Sequence, residues 1–162
     1  MKNIKFSRLF AAFAFVAILA LAGCKQPEEE THYAIEGTWV CDDGQKFIIT
    51  NSTLTNYWGE SEGYAGDNLT IVETSDNAGY IYIKYTRSLD YNSPTYYSEN
   101  GEDVGKWYAV SYKSLTDTSV EIAGASNYTN GGVSSCDTLE EAKEEFTIEK
   151  GYFETHDTFV KQ

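Results

Sequence analysis

Histidine, proline and basic side chains are all scarce in this chain. Two prolines in 162 residues exclude collagen-like and proline-rich extended architectures, and 41% apolar with 15% aromatic residues excludes a disordered acidic tail. Lysine and arginine total 12 against 25 aspartates and glutamates, a formal charge of −13. That sign repels a phosphate backbone, so nucleic acid is not an expected partner. Of the two histidines only His156 lies beyond residue 35. A nucleophile–base pair or a histidine-rich metal centre would have to be assembled around that one imidazole. There is no G-x-S-x-G, P-loop or G-x-G-x-x-G run, and the acidic stretch 98–103 lacks the alternating ligand spacing of a calcium loop. The expectation is a binding protein with no enzymatic activity, no metal and no cofactor. Its length accommodates one domain of roughly 100–150 residues.

The charge is unevenly distributed. Lys2, Lys5 and Arg8 precede an uninterrupted apolar run over residues 9–22, and the first acid is Glu28. Fourteen residues of helix span about 21 Å, short of the ~30 Å hydrocarbon core, so the run reads as the apolar region of a signal peptide. Leu21-Ala22-Gly23-Cys24 resembles the lipobox of bacterial lipoproteins. That resemblance implies cleavage before Cys24, acylation of its thiol, and a mature chain with 9 basic and 25 acidic residues, or 9 − 25 = −16. So acidic a domain is repelled by anionic headgroups, which leaves the acyl chain as its hold on a membrane. Lys25 replaces the aspartate that retains lipoproteins at the inner membrane, which implies the cell envelope and its outer membrane. The organisation expected is a signal peptide over 1–23, a lipidated N-terminus and acidic tether over 24–35, and a folded domain over 36–162.

Within that domain, short alternating runs are separated by turn residues. Strands are expected over 37–41, 45–50, 53–58, 68–74, 79–87, 106–113 and 118–124, with two more after residue 146. Residues 88–104 form the longest polar interruption and read as a mobile loop near one end of the fold. The periodicity changes once: Asp137 with Glu140 resembles a capping box, and Leu139, Ala142 and Phe146 fall on one helical face. Eight or nine strands with hairpin-length connections, and one short helix near the C-terminus, point to an all-β fold. An antiparallel up-and-down barrel of about eight strands, its last strand paired with its first, leaves no open edge; a two-sheet sandwich is the alternative.

Gly37-Thr38-Trp39 at the start of the first strand resembles the G-x-W signature of the lipocalin and wider calycin group. The late helix and the final Phe159-Val160-Lys161 strand are similar to lipocalin-like domains of small bacterial lipoproteins. The resemblance implies a barrel whose glycine admits the chain, whose Trp39 closes one end, and whose interior takes a small apolar or amphipathic ligand. Lipocalins stack an arginine on that tryptophan; this chain has Lys161 in the final strand, and Arg87 lies mid-chain.

Two features remain. Cys41 and Cys136 are an even pair once Cys24 is acylated. A bridge between them would close 136 − 41 = 95 residues, with about 4–5 kcal/mol of stabilisation on the chain-entropy model; otherwise they are buried thiols. Thirteen tyrosines exceed what such a core needs, and Tyr91, Tyr96 and Tyr97 fall in the polar interruption. With Trp39 and Trp107 they are the candidate binding residues, since tyrosine offers contact area at low entropic cost. Either a ligand occupies the barrel, or the acidic, tyrosine-bearing surface docks a cationic protein such as a lysozyme-type enzyme or a host factor. For the anchor, Cys24→Ser is expected to abolish metabolic incorporation of a fatty-acid label; continued labelling removes the assignment.

Overall fold

The computed structural model describes residues 32–127 and 131–162. Nine strands form: β1 (Gly37–Val40), β2 (Gln45–Ile49), β3 (Leu54–Trp58), β4 (Ser61–Ser75), β5 (Ala78–Leu89), β6 (Tyr97–Ser98), β7 (Trp107–Lys113), β8 (Ser119–Gly124) and β9 (Asp157–Lys161). One helix, α1 (Leu139–Glu145), precedes the last strand. The order β4-β3-β2-β1-β9-β8-β7-β5, with β5 paired back onto β4, closes an antiparallel up-and-down barrel of eight strands; β6 extends the end of β5. Closure removes the sheet edges that a meander of this length would otherwise expose.

The seam pairs β9 with β1 through Trp39↔Lys161 and Val40↔Val160, and the Gln162 N–H donates to the Thr38 carbonyl at 3.0 Å. Side chains fill the barrel on this side. Trp39 is fully buried, donates its indole N–H to the Ile35 carbonyl at 2.8 Å, and carries the Lys161 ammonium 5.0 Å from its ring centre. Lysine thus takes the stacking place for which the lipocalin pattern has arginine. Phe47 and Phe159 meet edge to face at 5.2 Å, and Ile49, Leu54, Ile81 and Val120 are buried with them. Ile35 belongs to this core, so the end of the stretch read as tether is part of the fold.

A second apolar layer lies outside the barrel. Alternation along β5 puts Ile81, Ile83 and Tyr85 on one face and Tyr80 and Tyr82 on the other. The helix packs against β5 and β7. Ala142 and Phe146 are buried there, as are Tyr152 and Phe153, and Phe153 lies 5.5 Å from Tyr80. Phe153 has φ of +62°, a left-handed conformation costly for a bulky residue, and packing against Tyr80 and Tyr152 holds it.

Four details differ from the sequence expectation. β4 begins at Ser61 and takes in residues 61–67, which lie between two expected strands, because the glycines there serve close approach: a Cβ on Gly66 would lie 2.7 Å from Ile83 Cβ. The helix cap is Thr138 with Glu141, one residue later than expected, since the Thr138 hydroxyl accepts from the Glu141 N–H and the Glu141 carboxylate accepts from the Thr138 N–H. Residues 147–151 are turn, so one of the two closing strands is missing. The polar interruption is a hydrogen-bonded hairpin carrying β6, with the Asp90 N–H donating to the Tyr96 carbonyl at 2.8 Å.

Trp39→Ala is expected to cost about 3–5 kcal/mol in urea unfolding, the range for emptying a large buried aromatic site. Lys161→Ala should cost under about 1 kcal/mol, because a cation over a ring contributes little beside the packing beneath it.

Candidate functional site

The other end of the barrel is not filled. A cavity of about 860 Å³ opens there, with Phe47 among its lining residues. Tyr64, Tyr85 and Tyr108 project into it from β4, β5 and β7. Tyr85 stacks on Tyr108 at 5.0 Å, while Tyr64 meets Tyr108 edge on at 5.2 Å and Phe47 at 6.3 Å. Burial, reinforced by the neighbouring phenols, pushes the Tyr64 and Tyr85 hydroxyls well above their ordinary value, so all chemistry open to them is that of neutral donors and π faces.

Around the rim stand Trp58, Leu89, Tyr91, Tyr97 and Val133. Trp58 (51% exposed), Leu89, Tyr91 (78%) and Val133 are half of the large apolar side chains that stay exposed among the described residues. Apolar surface gathered around a concavity marks a contact site more strongly than the same residues scattered.

The rim is also acidic. Asp90, Glu102, Asp103 and Asp157 line the cavity, and no lysine, arginine or histidine does. Asp90 accepts hydrogen bonds from the Ser98 hydroxyl and the Asn92 N–H, which hold its carboxyl below the ordinary value. Burial pushes Asp103 upward, but the Ser135 and Ser134 hydroxyls, at 2.7 Å each, and Lys106 at 3.3 Å outweigh it and keep the carboxylate ionised. Gly101 lets the hairpin fold down over this acid: a Cβ there would lie 2.6 Å from the Ser88 carbonyl oxygen, and Ser88 Oγ accepts from the Asp103 N–H.

One buried polar group beside the cavity has no partner. Asn56 faces inward across from Phe47 and two residues before Trp58, both of which line the cavity. Its side chain is fully buried, its amide donates to the Lys46 carbonyl at 3.4 Å, and its Oδ1 accepts nothing. An orphaned buried acceptor costs about 1–3 kcal/mol.

Of the residues singled out in the sequence, Tyr91 and Tyr97 line the cavity. Trp39 forms the packed end instead. Tyr96 is 62% exposed, with φ of +60° in the hairpin turn, and is not among the lining residues. Trp107 is half-buried and pairs through its backbone with Cys136, at 2.7 and 2.9 Å. Cys41 and Cys136 are both free thiols: Cys41 donates to the Asp43 carboxylate. Burial raises both, with Asp43 adding to the shift at Cys41 and Glu145 at Cys136, so neither is poised as a nucleophile. Cys24 lies outside the described residues.

Comparison with protein-family models, curated proteins and solved structures finds no match in any of the three. The cavity's own chemistry therefore carries the functional reading. The residues that sequence reasoning missed are the inward tyrosines, the rim acids, Trp58 and Asn56. Among the described residues no group of three or more histidine, cysteine or carboxylate side chains is arranged to hold a metal.

His156 lies outside the cavity lining, half-buried, with Nε2 3.1 Å from Ser111 Oγ on β7. Strict two-residue alternation between Phe153 and Phe159 would turn it to solvent, but residues 152–156 are not a strand. Burial, then Lys113, lowers its pKa from 6.5 in spite of Glu121 and Asp157. A depressed histidine favours the folded state when neutral, so its stabilisation is complete above about pH 6.5 and is lost as pH falls through that value. The urea midpoint should drop between about pH 7 and 5, and His156→Gln should flatten that part of the curve.

Proposed function

We propose that the chain is a lipid-anchored, lipocalin-like binding protein of the bacterial cell envelope that holds a small amphipathic ligand at the open end of its barrel. The cavity carries this reading. Its volume, about 860 Å³, lies within the ~300–1,000 Å³ of small-molecule sites, and its lining mixes aromatic faces with a few fixed polar groups. The packed opposite end supplies a rigid floor, so a ligand meets preformed rings rather than a collapsing core. Attachment rests on the Leu21-Ala22-Gly23-Cys24 resemblance together with the apolar run before it. Placement at the outer membrane rests on Lys25. The action proposed is binding without catalysis.

A second reading has one observation in its favour. Tyr96 is exposed outside the cavity at the tip of the hairpin, where it suits docking of a cationic protein by the acidic domain better than ligand capture.

Native purification followed by gentle extraction and mass spectrometry should release a small molecule. Quenching of Trp58 fluorescence should report its rebinding, with Tyr97→Ala weakening that by about 3–30-fold, the scale of one aromatic contact. Tyr96→Ala should leave small-molecule binding unchanged. Loss of binding to a cationic protein on that change, with no ligand recovered from the barrel, would favour the second reading.

A further inference from the structure

The lining of the cavity is one-sided in charge, and we infer that its ligand bears a positively charged amine or quaternary ammonium head on an apolar body. This deepens the binding reading above and rests on it.

Two observations converge. First, four carboxylates and no cationic side chain line the cavity among the described residues. An anionic ligand would meet uncompensated like charge there, and a neutral one would leave that charge unused. Lys106 offsets part of the charge on Asp103 from outside the lining, but the exposed side chains of Glu102 and Asp157 make no hydrogen bond or ion pair with any described residue, Asp157 acting only at longer range on His156. Second, the wall below the acids is aromatic. The faces of Tyr64, Tyr85 and Tyr108, with Trp58 and Tyr91 at the rim, offer the negative π surfaces that attract a desolvated ammonium and that bury an alkyl or aryl body equally well.

Depth orders these features. Asp90, Glu102 and Asp103 belong to the β5–β7 connection at the mouth, and Asp157 to the first residue of β9. The aromatic groups sit on the strands beneath. The apolar body therefore enters first, and the charged head stays at the rim, still partly hydrated. Amide and hydroxyl groups of the lining suit a neutral sugar too, but a sugar has no use for four carboxylates of which only Asp103 is ion-paired.

The test uses three probes that share a phenyl ring and a four-carbon chain: 4-phenylbutylamine, 4-phenylbutanol and 4-phenylbutyrate, titrated against the acylated or soluble full domain by calorimetry and Trp58 fluorescence at neutral pH. The amine should bind at least about tenfold more tightly than the carboxylate, with the alcohol between them. Raising salt should erode the amine's advantage and leave the alcohol unaffected. Glu102→Gln with Asp157→Asn should weaken the amine several-fold and the alcohol hardly at all; because neither acid is bonded within the fold, thermal unfolding should be unchanged. If the alcohol or carboxylate binds as tightly as the amine, or cellobiose binds more tightly, the charge inference falls and the binding reading stands. If no probe binds and extraction yields no small molecule, the binding reading itself falls.

Discussion

The structure depends on a short seam. β1 and β9 share two register pairs, yet they join positions 39 and 161 and turn a meander into a closed surface. Closing a loop of that length carries a large entropic cost before any contact offsets it. What offsets it is concentrated at the seam: Trp39 lies between Phe47 on one neighbour and Lys161 on the other, with Ile35 bonded to its indole. Without that anchor β1 and β9 become two edges, and the cavity loses the wall to which Asp157 belongs.

The barrel was legible because two-residue alternation and turn chemistry agree along most of the chain. Where they disagreed, the reading slipped. Gly63 and Gly66 look like loop residues, but each faces a crowded position, next to Asn56 and Ile83 respectively, and glycine there keeps a bulged strand paired. The helix slid by one position because Asp137 and Thr138 are both competent caps, and only packing of Ala142 and Phe146 against the barrel decides between them. The closing strand is shorter than its apolar pattern because Tyr152 and Phe153 belong to the outer layer, where α1 covers β5 and β7.

The cavity was less legible, for a related reason. Both faces of β5 are apolar: Ile81, Ile83 and Tyr85 look into the barrel, while Tyr80 and Tyr82 lie under the helix side. Alternation gives the period but not the sign, so it cannot say which tyrosines look inward. Polarity of the loop drew attention to Tyr91, Tyr96 and Tyr97. It was a sound guide to the rim and silent about the floor, which is built from strand tyrosines indistinguishable in sequence from half-exposed ones.

The two ends of the barrel are asymmetric in a way that stability alone does not explain. The closed end pairs the Trp39 indole N–H with the Ile35 carbonyl and fills its volume with aliphatic and aromatic side chains. At the open end an acceptor is left unpaired, aromatic rings line a cavity, Asp90 and Asp103 are held by serine hydroxyls, and Glu102 and Asp157 face solvent. The unpaired Asn56 acceptor raises the free energy of the empty protein by an amount that an aliphatic residue there would remove, whereas Asp103 is stabilised where it stands by its serine and lysine partners. Their shared position, around one cavity at the end of the barrel away from Trp39, separates the end that keeps the barrel closed from the end that meets a ligand.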